Sequence, residues 1–196
     1  MRVLVIAIAL TLALSALAFA GNNPDAKVAI HVRPHNAKLG CALAAPIVTC
    51  ADIVTTEPGF SIDAFPVFFD LTEYQGLEYA VCWPVWAYGA GFTNCADLVI
   101  GEIINPGDGA SHAYTACQYG VAVPAFLWLY ADAGGGMVCP CPHPETGIIK
   151  IVDCSEGSDT PMCIFCAGVY GMIGDDPCEP TGTEASTWGQ IKGMFE

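Results

Sequence analysis

The sequence predicts an all-β protein built as an antiparallel sandwich. Three observations lead there. Short stretches alternate apolar and polar residues with a period of two. Gly-, Pro- and Asp-rich turn signals recur between them. No segment before residue 154 carries the 3.6-residue period of a helix. Eight or nine short strands in such a series match a sandwich rather than an alternation of strand and helix.

Lys27–Arg33 sets Val28, Ile30 and Val32 on one face and Lys27, His31 and Arg33 on the other, and stops at Pro34. The segment from Cys41 to Cys50 reads as a loop, and Asp52–Thr56 as a short strand ended by Pro58-Gly59. Phe65, Val67, Phe69 and Leu71 share the next apolar face, with Pro66 suggesting a sheet edge. Tyr74-Gln75-Gly76 predicts a turn, and Leu77, Tyr79, Val81 and Trp83 a returning strand, so that Phe65–Trp83 reads as a hairpin. Further strands are expected at Ala96–Ile104, Ser111–Cys117, Val121–Tyr130, Met137–Pro142 and Gly147–Cys154. The turn Asn105-Pro106-Gly107-Asp108-Gly109 separates the first two of these. Val121–Tyr130 is apolar on both faces and reads as a central strand.

Four regions follow. Residues 1–20 have one basic residue, an apolar run and Ala18-Phe19-Ala20 before Gly21, the pattern of a cleaved secretory signal peptide. The run is short for a membrane span, so no transmembrane anchor is expected after cleavage. Residues 25–154 form the β-sandwich domain. Residues 155–185 are a Cys-, Gly- and Pro-rich extension. Residues 186–196 form a short amphipathic helix or tail, with Thr187 and Gln190 as a capping box and Trp188, Ile191 and Phe195 as its apolar stripe. Cleavage leaves 176 of the 196 residues, and losing Arg2 takes the net charge from −14 to −15. So acidic a chain repels phosphate backbones, which argues against nucleic acid as a partner.

The cysteines at 41, 50, 82, 95, 117, 139, 141, 154, 163, 166 and 178 number eleven. In an oxidising compartment they read as a disulfide framework with one cysteine left over. Cys41–Cys50 and Cys82–Cys95 are expected as local pairs. Cys139-Pro140-Cys141-Pro142-His143 is the one candidate metal cluster, but its Cys-x-Cys gap is tighter than zinc sites use. Structural bridges are the expectation there, and no cofactor is expected. Cys163-Ile164-Phe165-Cys166 has redox-dithiol spacing without the helix N-terminus that would activate it. The chain has no Gly-x-Ser-x-Gly elbow, P-loop or EF-hand loop, and no catalytic residue is assigned.

The aromatics Trp83, Trp86, Tyr88, Trp128, Tyr130 and Tyr170 are candidates for a stacking platform, with Trp83, Trp86 and Tyr88 as the chosen ligand-binding residues. The leading function is a secreted or cell-surface, non-catalytic binding or assembly module, its partner an extracellular protein or glycan. The alternative is a structural subunit of an extracellular layer or filament, oligomeric through the odd cysteine or the C-terminal helix. A metal-binding, redox or hydrolytic role ranks third.

Residues 25–32, 76–84, 106–109, 128–131 and 151–154 carry a resemblance to a group of secreted bacterial proteins to which no activity is assigned. It covers roughly residues 25–154 and implies secretion from environmental bacteria. Thr187-Trp188-Gly189-Gln190-Ile191-Lys192 is similar to C-terminal segments of other exported proteins. The pattern around Phe65–Trp83 is also similar to the early strands of Ig-like and cohesin-type sandwiches, the latter docking partner modules.

Overall fold

The computed structural model describes residues 21–37, 40–41, 47–85, 87–131 and 134–179. Twelve strands are joined through their hydrogen bonding into one curled sheet. They are β1 (Lys27–Pro34), β2 (Thr56–Glu57), β3 (Ser61–Cys82), β4 (Ala87–Asn94), β5 (Leu98–Ile100) and β6 (Gly109–Ala122). After them come β7 (Ala125–Ala131), β8 (Gly136–Cys141), β9 (Lys150–Val152), β10 (Ser158–Asp159), β11 (Cys163–Phe165) and β12 (Ala167–Val169). A 3-10 turn spans Cys50–Asp52, and no α-helix occurs among the described residues. The expected C-terminal helix, like the leader, lies outside them.

The chain is all-β, and its spine is β3. The hairpin expected over Phe65–Trp83 is instead one continuous 22-residue strand. Its first half pairs with β1 on one side and with β7 on the other. Its second half pairs with β6 on one side and with β8 and β9 on the other. The pairing with β6 slips three times, between Phe68 and Leu71, Leu71 and Tyr74, and Tyr74 and Gly76. The first two slips each insert one residue into β3 and so reverse which parity faces the core, and the third leaves its extra residues on β6. Accordingly Phe68, Leu71, Tyr74 and Leu77 alternate between even and odd positions, yet all four join the main core. Asp70 holds φ 57° in the first of these bulges. The turn-forming residues therefore bend the strand instead of reversing it. Pro66 lies past the end of the β7 pairing, where β1 alone of the described strands runs beside it.

The sheet is buried on both faces. Val28, Ile30 and Val32 of β1 join Phe68, Tyr79, Val81, Trp83, Leu127 and Leu129 in the main core. Ala29 points the other way, into a second cluster with Phe65, Val67, Phe69, Phe165, Ile47 and Ile53. His31, expected on a polar face, is only 4% exposed. Its Nδ1 accepts the Val54 N–H at 2.9 Å, and its Nε2 has no hydrogen-bond partner. Two pairings are parallel, β1 with β11 and β2 with β12, so the sheet is not purely antiparallel.

Five disulfides join Cys41 to Cys95, Cys50 to Cys178, Cys82 to Cys141, Cys117 to Cys154 and Cys139 to Cys166. The expected Cys41–Cys50 and Cys82–Cys95 pairs are replaced by longer connections. Cys50 caps the second cluster and is drawn to Cys178 instead. Cys82 sits opposite Cys139 in the β3–β8 ladder, but its bridge runs to Cys141. Cys163 takes no part in these five bridges.

Candidate functional site: an aromatic sheet face

The most distinctive surface lies on the neighbouring strands β4, β7, β3 and β1. β7 alternates strictly: Ala125, Leu127, Leu129 and Ala131 are buried, while Phe126, Trp128 and Tyr130 are half-buried on the opposite face. Residues directly opposite in a ladder share a face, and the registers arrange this one in three rows. The innermost row runs Thr93, Phe126, Phe65 and His31, and Phe126 packs on Phe65 at 5.4 Å. The middle row runs Gly91, Trp128, Asp63 and Arg33. The outer row runs Tyr88, Tyr130 and Ser61.

Exposure grows outward. Tyr88 stacks on Tyr130 with ring centroids 5.3 Å apart, and Phe60 meets Tyr130 edge-on at 5.4 Å. Tyr88 and Phe60 are each 52% exposed. Exposed ring faces on a rigid sheet lose little freedom when a flat ligand settles on them.

The middle row is held rigidly beneath them. Asp63 is fully buried, and its Oδ1 lies 2.6 Å from His35 Nδ1. Its Oδ2 accepts the Asn36 N–H at 3.0 Å. These bonds lay the His35 ring flat on Trp128, 4.1 Å between centroids and 6° from parallel. The Trp128 indole N–H donates to Ser61 Oγ at 2.9 Å. His35 thus covers one face of Trp128, and the rings left to solvent are chiefly Phe60, Tyr88 and Tyr130.

Of the three ligand-binding residues chosen from the sequence, Tyr88 lies on this face. Trp83 is a correction: it is 1% exposed, with its indole N–H on the Ala87 carbonyl, and belongs to the core. It follows a strand in sequence, but Ala87 turns the chain back over it. Trp86 lies outside the described residues. Gly89 brings β4 so close to the turn after β5 that a Cβ there would stand 2.4 Å from the Ile104 carbonyl oxygen. Trp128 and Tyr130 were legible as part of an alternating aromatic stripe. Phe60, His35 and Asp63 carried no sequence signal, because their meeting depends on the register of β1 against β3.

The Cys139–Cys141–His143 cluster is dispersed into structural roles. Cys139 is bridged to Cys166 and Cys141 to Cys82, so neither sulfur is available as a thiolate ligand. His143 is 8% exposed, its Nδ1 accepting the Glu145 N–H at 3.3 Å and standing 3.8 Å from Glu78 Oε1. Glu73 approaches Cys117 and Cys154, but those two sulfurs are bonded to each other. Cys166 being taken by Cys139, the Cys163–Cys166 spacing does not form a dithiol.

His112 is buried in the main core, with Nε2 3.1 Å from the Tyr79 hydroxyl and Nδ1 3.1 Å from Asn94 Oδ1. Burial lowers its pKa to about 4. His31 is lowered to about 4 by burial and, secondarily, by the charge of Arg33. Burial raises the Tyr74 hydroxyl to about 12 and drives Tyr79 well above the ordinary tyrosine value.

No family model matches the chain, and no curated protein matches it. Among solved structures, the cohesin module of a family 33 glycoside hydrolase from Clostridium perfringens ATCC13124 is similar. The similarity covers 59% of this chain and 89% of that module, at 11% identity and a TM-score of 0.45.

Proposed function

We propose that the protein is an exported, non-catalytic binding module on a sandwich-type scaffold, and that its aromatic face takes a neutral glycan. The observation that carries this reading is the row of Phe60, Tyr130 and Tyr88, in which the half-buried Tyr130 ring meets two exposed ones at 5.4 and 5.3 Å. Sugar rings present flat C–H faces that stack on such a row. The net charge of −14 disfavours sulfated or uronate polymers, which points to uncharged ones. Five disulfides suit an oxidising compartment. No helix of the described residues is long and apolar enough to cross a membrane.

The test is retention on cellulose, chitin and xylan, with heparin as the charged control. At least one neutral polymer should retain the protein. Tyr88→Ala and Tyr130→Ala should each weaken that retention about tenfold. Tyr119→Ala, which removes a 69%-exposed ring on β6, should leave it unchanged. Equal loss in all three variants, or retention on heparin alone, would overturn the reading.

One observation favours assembly as a second reading. Among the described residues β5 pairs with β6 alone, and its Leu98 and Ile100 are 57% and 70% exposed on one face. An apolar edge strand is a template for adding another strand. Concentration-dependent oligomers abolished by Ile100→Lys would support that role.

A further inference from the structure

The first described residues sit in an acidic pocket away from the aromatic face. The Asn22 N–H donates to Asp153 Oδ2 at 3.0 Å, and the Asn23 N–H to Asp159 Oδ2 at 2.7 Å. Asn22 Nδ2 donates to Glu73 Oε1 at 2.8 Å. Asn23 is 1% exposed and closes the bulged part of β3. Its Oδ1 accepts the N–H groups of Thr72 and Glu73 at 2.9 and 3.3 Å, and its Nδ2 donates to the Glu73 carbonyl at 2.8 Å. The bulge leaves those backbone groups without ladder partners, and Asn23 supplies them.

Gly21 is lodged just ahead of this clasp. A Cβ there would lie 2.1 Å from Asp159 Oδ2, and a Cβ on Gly157 would lie 3.1 Å from the Gly21 Cα. A side chain at residue 21 would have to displace the Asp159 carboxylate. The backbone nitrogen of a residue lies about 2.5 Å from its Cβ position, so the Gly21 nitrogen is within about 4.6 Å of that carboxylate oxygen. Asp159 on β10 faces it, and the carboxylates of Asp153 after β9 and Glu73 on β3 hold the next residue, Asn22. In the sequence, Gly21 follows Ala18-Phe19-Ala20, the small-x-small pattern that precedes a leader cleavage.

We propose that this pocket is the seat of a mature N-terminus, created by a signal peptidase between Ala20 and Gly21 and held as an ammonium against Asp159. The inference rests on the leader reading and is independent of the aromatic face. In the cleavage step water adds across the Ala20–Gly21 amide. The leader departs with a carboxylate on Ala20, and the Gly21 amine takes up a proton. Processing thereby turns a neutral amide into a cation beside carboxylates. Cleavage one residue away would displace that charge by about 3.5 Å and lose the seat.

The leader reading is tested first, by N-terminal sequencing of the protein exported by a secreting host. A chain starting at Gly21 is expected, and any other start overturns the processing step. The seat is tested separately on disulfide-intact chains prepared to begin at Gly21, at Gly21 acetylated on its amine, and at Ala20. Relative to the Gly21 chain, acetylation or the extra Ala20 should raise the unfolding equilibrium constant about twofold to fivefold. In the Asp159→Asn background the same changes should have little further effect, because the coupling partner is gone. A second readout does not depend on stability. The Gly21 amine should titrate above its ordinary range of about 7.7–8.0, and Asp159→Asn should return it there. Equal costs in both backgrounds, or an amine that titrates ordinarily, would overturn the seat while leaving the leader reading intact.

Discussion

Acid should weaken this protein through two buried imidazoles. His31 and His112 are 4% and 2% exposed, and each has a folded pKa of about 4 against an ordinary 6.5. Both are kept neutral by the fold. Below pH 6.5 the unfolded chain binds a proton at each imidazole and the native chain does not, so stability falls with pH until about pH 4. Between pH 7.5 and 4.5 the linkage amounts to about 2.5 kcal/mol per imidazole, about 5 kcal/mol for the two. For a chain of this size that lowers Tm by about 10–20 °C. Asp52, Asp97 and Asp153 are held below the ordinary carboxylate pKa of 3.8, so their losses begin at lower pH and do not confuse the window. In Asp153 burial pushes upward, and hydrogen bonds from Gly157, Ser155 and Asn22 outweigh it. The assay is urea unfolding of the disulfide-intact protein at half-unit steps, followed by tryptophan fluorescence. His31→Asn can keep an acceptor for the Val54 N–H, and His112→Gln an amide near the Tyr79 hydroxyl. Each should remove about half of the slope between pH 6.5 and 4.5. A flat profile in that window, or a slope that survives both changes, would refute the reasoning.

Asp63→Ala should cost about 2–4 kcal/mol in urea unfolding, because it strips His35 and the Asn36 N–H of their acceptor at a buried site. Loss of the His35 stack on Trp128 should appear with it as altered indole emission. Gly89→Ala should cost about 1–3 kcal/mol, read as a lower urea midpoint, since its Cβ meets backbone at 2.4 Å and backbone cannot step aside as a side chain does. Replacing Cys50 and Cys178 together by Ser should lower stability by about 2–4 kcal/mol, with Tm as the readout.

The strands that follow one periodicity were readable before the structure was known. β1 covers Lys27–Pro34, where Val28, Ile30 and Val32 mark the core face, and β7 ends near Tyr130 as its pattern implied. β3 was not readable as one strand. A bulge changes the parity of the apolar face just as a turn does, and Tyr74-Gln75-Gly76 has a composition that suits both. β4 was missed because Ala87–Asn94 is rich in glycine and alanine, and its edge position comes from pairing with β7, not from its own side chains. The short strands β10–β12 lie where composition suggested a loop. β10 is held by its neighbour β9, whereas β11 and β12 are held by partners far away in sequence: β1, β2 and β8. The site followed the same rule. Its aromatic stripe was local and visible in β7, whereas Asp63, His35 and Phe60 join it only through the registers of β1 and β3.

The bridges also have a bearing on damage. Laid along the sequence, they overlap so that every peptide bond between Cys50 and Cys166 is spanned by at least two of them. A protease that severs one exposed loop, such as the turn at 104–108, cannot liberate a fragment. The cut ends stay tied through Cys50–Cys178 and Cys82–Cys141, and the sheet between them keeps its registers. Reducing one bridge as well still leaves a second tether. Nicked molecules should therefore run as fragments only after reduction, and the aromatic face should outlast the first cut.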